Sequence, residues 1–336
     1  MIYVTKRLWL EKDKNAYAQW ADLMDKANLN RKEEEFDYTV GIYIDDQLVA
    51  TGSYYQNILK NLVVCKDFQS ENLLTKVVQH LMSRLAEEGK YHYFVYTKPE
   101  NQTIFCSLGF QTIVETSEIV FMEQGFPNFK DYLLMLEKKK KPGSGSGIVM
   151  NANPFTIGHE YLVETASKQS EQVYVFVLSE DRSEFSFDER FEMVKQGVKH
   201  LANVTVLPTN DYLVSSATFP SYFLKDRAIE NVADKQAAID AQIFKERIAP
   251  VLDIRTRFVG EEPYSKVTEI YNQSMEKVFK DVLDLIVIPR VGVDGDIITG
   301  TKTRMAIKMH DDKQLVNYLP LVIYNYLKKQ KIIEVK

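Results

Sequence analysis

Residues 147–178 constrain the fold more than any other stretch of the chain. A short apolar run at 147–150 is followed by a helical pattern at 158–170 and then by the nearly continuous apolar run 172–178. A strand that is apolar on both faces belongs inside a parallel sheet, where helices cover both sides. Parallel neighbours need a crossover connection, so the order reads as βαβ. The alternation continues with helix 187–200, strand 204–208, helix 234–248, strand 256–259, helix 268–278, strand 284–288 and a closing helix 314–329. That predicts an α/β, doubly wound, Rossmann-like sheet.

The loop leaving the first strand carries Asn153-Pro154-Phe155-Thr156-Ile157-Gly158-His159. Open parallel sheets bind ligands at the carboxyl ends of their strands, and this loop sits at one. Gly158 lets a ligand approach the backbone. His159 falls in the first helical turn, beside unpaired N–H groups and the positive end of the helix dipole, where a neutral or protonated imidazole can donate to phosphate. Thr156 adds a hydroxyl. Much later, Thr299-Gly300-Thr301-Lys302-Thr303-Arg304 places hydroxyls, a helix start and a guanidinium together, a second phosphate-gripping pattern. Lys302 is equally suited to a solubilising surface role. Arg190, within Phe187-Asp188-Glu189-Arg190, reads either as a nucleotide contact or as one half of a structural ion pair.

Before residue 138 the pattern is different: helix 15–28, strands 38–44 and 47–56, strand 62–66, helix 71–88, strand 91–97, helix 101–108, then strands 110–114 and 119–123. The run Glu137-Lys138-Lys139-Lys140-Lys141 followed by Pro142-Gly143-Ser144-Gly145-Ser146-Gly147 reads as a solvated linker. The expected organisation is thus a first domain at 1–137, a linker at 138–147 and a second domain at 148–336.

Composition narrows the function classes. A net charge of −5 disfavours general nucleic-acid binding, which calls for a basic face. The two cysteines, Cys65 and Cys106, form no metal-binding or disulfide pattern, and no histidines cluster at metal-ligand spacing. No run approaches the ~18 apolar residues of a membrane span, and no leader pattern opens the chain. A cytoplasmic protein with no membrane contact is the expectation.

The first domain resembles the GNAT acetyltransferase fold, and residues 101–110 look like its second half. The loop by which that family holds acyl-CoA pyrophosphate falls on Gln69-Ser70-Glu71-Asn72-Leu73-Leu74, which lacks both family glycines. The resemblance therefore implies a recognition module in preference to an active acetyltransferase. In the second domain, Thr156-Ile157-Gly158-His159 resembles the H-x-G-H signature of the nucleotidyltransferase superfamily, with Thr156 in place of the first histidine. Residues 298–304 resemble its I-S-S-T-x-I/V-R motif, with Gly300 replacing the second serine.

The whole chain resembles the citrate lyase ligase family, through residues 150–159, 217–226 and 257–264. That resemblance implies ATP, with Mg²⁺ on its phosphates, as substrate. It implies acetyl transfer from acetate through acetyl-adenylate to the thiol of a phosphoribosyl-dephospho-CoA group on the acyl-carrier subunit of citrate lyase. His159, Thr156, Lys302 and Arg304 would then act on the phosphates, and Asn153, Phe155, Gly158, Arg190, Thr299, Thr301 and Glu261 would hold ATP. Ser221, Tyr222 and Lys225 would face the acetate or thiol, or else pack a loop on the sheet. An adenylyltransferase acting on a phosphate-bearing small molecule and a catalytically degenerate nucleotide-binding regulator are the rival expectations.

Overall fold

The computed structural model describes residues 3–29, 35–213, 229–261, 266–290, 292–293 and 296–333. They fall into two compact units, one made of residues up to 131 together with 229–235, the other of residues from 132 to 213 and from 236 onward.

In the first unit, β1 (Val4–Arg7), β2 (Tyr38–Ile44), β3 (Gln47–Tyr55), β4 (Ile58–Val64), β5 (His92–Thr97), β6 (Gln111–Glu115) and β7 (Val120–Gly125) form one sheet, in the order β1-β2-β3-β4-β5-β7-β6. Every pair is antiparallel except β4 and β5, which are parallel and meet only at Ile58/Phe94 and Leu59/Val95. Helix α1 (Lys14–Lys26) starts where the Asp13 carboxylate accepts from the N–H groups of Asn15 and Ala16. It packs Trp20 and Met24 on one face of the sheet. Helix α2 (Leu73–Glu87) buries Val77, Leu81 and Leu85 on the other. Helix α3 (Gln102–Ser107) completes the run, and helix α4 (Phe129–Glu137) leads into the second unit. Where the sequence lacks the two glycines expected of a pyrophosphate loop, the chain makes a tight turn over Lys66–Glu71, and Asn72 takes the left-handed conformation at φ 55°. Asparagine tolerates that region better than most side chains.

The second unit is a five-stranded, wholly parallel sheet. Its strands are β8 (Gly145–Met150), β9 (Gln172–Val177), β10 (Val204–Pro208), β11 (Ile254–Gly260) and β12 (Asp284–Ile288), in the order β10-β9-β8-β11-β12. The winding reverses between β8 and β11, and that reversal opens a crevice at the strands' carboxyl ends. Around the sheet lie α5 (Ile157–Gln169), α6 (Phe187–Gly197), α7 (Ile229–Ile243), α8 (Ala249–Leu252), α9 (Lys266–Phe279), α10 (Gly300–Lys308), α11 (Asp312–Tyr318) and α12 (Leu321–Lys329), with a small ribbon of β13 (Gly292–Val293) and β14 (Asp296–Ile297). The core joins Ile148, Val163, Val175, Met193, Phe258 and Ile323.

Four expectations need correction. The Gly-Ser-Gly stretch expected to end a linker is the start of the central strand β8, and Gly145–Gly147 is buried. A Cβ on Gly147 would lie 2.5 Å from Phe244 Cζ, and one on Gly145 2.9 Å from Tyr174, so these glycines serve close packing, not flexibility. Nor does the second unit wait for residue 148: Tyr132, in α4, donates to the Pro208 carbonyl at 3.0 Å and packs on Tyr212. The helix read at 314–329 is two helices, because Pro320 has no N–H to continue the first. The helix read at 234–248 widens into a π turn over Phe244–Ile248, which sets Phe244 against Gly147.

Candidate active site

At the end of β8 the chain turns outward and Phe155 drops back into the core with no exposure. Its ring lies so close to Gly197 that a Cβ there would sit 2.4 Å from it. The other face of Phe155 stacks on the His159 imidazole, with ring centroids 5.7 Å apart. Phe155 is therefore an anchor under the loop, and the expectation that it touches nucleotide is corrected.

Thr156 begins α5 in extended backbone. Its N–H donates to His159 Nδ1 at 3.0 Å, and its Oγ1 lies 2.9 Å from the same nitrogen. Nδ1 is the acceptor from the backbone, so the neutral ring carries its proton on Nε2. Burial, and then the charge of Arg290, push the His159 pKa from its ordinary 6.5 down to about 4. The imidazole is thus a fixed neutral donor, and the protonated alternative drops out near neutral pH.

The second motif opens α10. Thr299 Oγ1 accepts from Lys302 N at 3.1 Å, and the Thr303 hydroxyl donates back to the Thr299 carbonyl at 2.9 Å. Arg304 Nη1 donates to the Asn153 carbonyl at 2.7 Å, its Nη2 donates to Thr301 Oγ1 at 3.2 Å, and its Nε faces Glu184 Oε2 at 3.7 Å. A Cβ on Gly300 would meet the Asn153 carbonyl oxygen and Arg304 Nη1, both at 3.1 Å. The glycine that replaces the family serine is what lets the two loops touch.

A pocket of about 470 Å³ lies between these helix starts. Asn151, Asn153, Thr156, Gly158, His159, Thr299, Gly300, Thr301 and Arg304 line it, with Arg257, Tyr271 and Arg290 from the β11–β12 side. Two helix N-termini and three arginines facing one space make a strongly anion-attracting site. Above Gly158 only Thr156 Oγ1 comes within 4 Å of a hypothetical Cβ, at 3.6 Å, so that space belongs to the pocket.

Other sequence candidates lie elsewhere. Arg190 is fully buried: its Nε donates to the Phe185 carbonyl, Nη1 to the Asn151 and Leu178 carbonyls and Asn151 Oδ1, and Nη2 to the Glu180 carbonyl. It ties the loops after β8 and β9 together, and neither proposed role, nucleotide contact nor side-chain ion pair, describes it. Lys302 Nζ donates to the Ile297 carbonyl and does not line the pocket. The Glu261 side chain is exposed and away from the wall; only its backbone takes part, its carbonyl accepting from Arg290 Nε at 2.7 Å. Ser221, Tyr222 and Lys225 lie outside the described residues.

Sequence reasoning passed over Arg257, Tyr271 and Arg290. The available signals were an arginine directly before the apolar pair Phe258-Val259 and another just past strand 284–288. It also missed His200, whose Nε2 meets Glu164 Oε1 at 3.1 Å on the outer surface of α5, near Glu160.

The chain is similar to several known proteins. A family model described as the citrate lyase ligase C-terminal domain matches residues 145–327. The citrate (pro-3S)-lyase ligase of Haemophilus influenzae is 35% identical over 311 residues, covering 90% of this chain and 92% of the relative. That of Klebsiella pneumoniae is 33% identical over 327 residues, covering 95% of each. Among solved structures, the PaiA N-acetyltransferase of Thermoplasma acidophilum covers 38% of this chain and 100% of its own, at 10% identity and a TM-score of 0.32. With relatives matched along almost their full length and a family model spanning the parallel sheet, the chain belongs to the citrate lyase ligase family.

Proposed function

We propose that the pocket binds ATP, joins acetate to its α-phosphorus, and passes the acetyl group to the prosthetic-group thiol on the acyl-carrier subunit of citrate lyase, switching that enzyme on. The observation that carries this reading is the convergence of the α5 and α10 N-termini on one anion-attracting pocket, held together by Arg304 and the Asn153 carbonyl.

In the first step a carboxylate oxygen forms a bond to the α-phosphorus, and the bond to the bridging oxygen breaks, so that pyrophosphate leaves with the electron pair. In the second the thiol sulfur attacks the acyl carbon, its proton is lost, and AMP departs. Neither step needs a side-chain nucleophile. Alignment and stabilisation of phosphate charge provide the acceleration. The N–H groups at the start of α5 and His159 Nε2–H suit the α-phosphate, and the start of α10 with Thr301 and Arg304 suits the β- and γ-phosphates. Because Nδ1 of His159 is engaged by Thr156, Nε2–H points its donor without a rotamer search.

The described lining holds hydroxyls, amides and guanidinium groups but no carboxylate. That donor set does not cage a cation by itself, so Mg²⁺ belongs here as a passenger on the triphosphate, its usual mode with nucleotides. No helix among the described residues is long and apolar enough to cross a membrane, and a cytoplasmic location is part of this reading.

The test is exchange of labelled pyrophosphate into ATP. Exchange that requires acetate, together with acetyl transfer to the carrier subunit, supports the reading. Exchange that ignores acetate and demands a phosphorylated acceptor sinks it.

A further inference from the structure

Behind the nucleotide pocket lies a second cavity of about 240 Å³, walled by Met150, Leu178, Leu213, Ala241, Phe244 and Phe279. It is smaller than the ~300–1,000 Å³ of drug-sized ligand sites and largely apolar. Two charged side chains stand in its wall, Asp240 and Arg257. Arg257 leaves β11 at 6% exposure, its guanidinium carbon 4.4 Å from the centroid of Phe244. Its Nε and Nη1 have no hydrogen-bond partner among the described residues, although the Asp240 carboxylate attracts its charge. Buried polar groups are nearly always satisfied, because an unpaired buried donor keeps the full cost of its lost hydration. Arg190 in the same unit shows the contrast, with every nitrogen on an acceptor.

We propose that Arg257 receives the carboxylate of the acid substrate, a short-chain carboxylic acid whose alkyl end fills the apolar cavity. A guanidinium is a charge-assisted donor well suited to a carboxylate. Tyr271 is committed elsewhere, its hydroxyl donating to Asp240 Oδ2 at 2.6 Å, and Asp240 faces the same cavity. Arg257 is the one cation among the described residues that line the cavity, so it is the group an incoming carboxylate would pair with. The cavity and the nucleotide pocket share Val149, Met150, Asn151, Arg257, Tyr271 and Met275. An acid held by Arg257 has the nucleotide pocket beside it, and each carboxylate oxygen keeps a lone pair for attack on phosphorus. The size of the cavity also sets specificity, because acetate fits where a long acyl chain meets Leu178 and Phe279.

The inference rests on the ATP-dependent acid activation proposed above, and the experiment separates the two. Acetate binding is read by saturation-transfer NMR in the presence of α,β-methylene ATP, on the wild type, Arg257→Gln and Arg257→Lys. The acetate and ATP KM values come from pyrophosphate exchange. Arg257→Gln should lose the acetate signal and raise the acetate KM about 30-fold, the equivalent of ~2 kcal/mol for a charge-assisted hydrogen bond. ATP KM should rise far less than acetate KM, and Arg257→Lys should recover part of the acetate affinity, since a point charge remains. In wild-type protein labelled at its methionine methyls, acetate should shift Met150 and Met275, a readout that needs no variant. Unchanged acetate KM and signal in Arg257→Gln, or acetate binding that leaves both methyls unmoved, overturns the site while leaving the ligase reading intact. Methyl shifts and an Arg257-dependent signal without any exchange overturn the ligase reading and leave the carboxylate site standing.

Discussion

Arg304 Nη1 donates to the carbonyl oxygen of Asn153 at 2.7 Å, across 151 residues of sequence. The contact joins the loop after the first strand of the parallel sheet to the helix that follows the last. It places the positive ends of two helices at one pocket, and a single guanidinium both braces the loop and faces the ligand space.

Replacing Arg304 by Ala removes this brace together with a phosphate-facing charge. Pyrophosphate exchange should fall by roughly 10²-fold or more, the scale of a lost charge-stabilising donor. Arg304→Lys should recover little, because a lysine cannot reach Asn153 and Thr301 together with its charge in the same plane. Steady-state kinetics on both variants checks this, and near-normal exchange in Arg304→Ala would refute the role.

Gly300→Ser restores the hydroxyl of the superfamily pattern yet should lower activity. Its Cβ would stand 3.1 Å from both the Asn153 oxygen and Arg304 Nη1. The loops must part to admit it, at a cost of about 1–3 kcal/mol typical of overpacking. A weaker ATP affinity and a lower melting temperature, measured together, are the expected outcome. A gain in activity would show that the loop yields more easily than its contacts imply.

His159 gives a pH signature. With a folded pKa pushed from 6.5 to about 4, the native state binds fewer protons than the unfolded chain between those values. The stability linked to the neutral ring is complete above about pH 6.5 and is lost as the pH falls toward 4. Melting temperatures of wild type and His159→Gln should therefore converge or cross as the pH is lowered through that window. Exchange by the wild type should show no inflection from this residue between pH 6 and 8, and His159→Ala should reduce it by roughly 10²-fold. A histidine ring signal titrating near pH 6.5 and assigned to His159 contradicts the account.

Arg190→Met should unfold the protein before it affects catalysis. The change removes the donor shared by the carbonyls of Phe185, Asn151, Leu178 and Glu180, the Phe185 contact buried and the other three partly so. At ~1–3 kcal/mol for each unsatisfied group, a loss of at least about 3 kcal/mol follows. Denaturant titration measures it. A variant of wild-type stability with weakened ATP binding would return Arg190 to the nucleotide.

The sequence alone determined the alternation of strands and helices after residue 147, because hydrophobic period is a local property and interior parallel strands leave little choice of residue. It also marked the two helix starts, since Thr156 and Thr299 are capping residues standing before short apolar patterns. Tertiary structure decided what local reading cannot see. Gly145 and Gly147 look like linker until Tyr174 and Phe244 press against them. Phe155 and Arg190 stand in ligand-like motifs, but the groups that surround them come from distant segments and make them structural. Arg257 is an ordinary strand residue by sequence. Only the packing of β11 between β8 and β12 buries its guanidinium, with no hydrogen-bond partner for Nε and Nη1 among the described residues, beside the nucleotide pocket. The physical reason is common to all of these: secondary structure follows neighbours along the chain, whereas burial and satisfaction of charge follow neighbours in space.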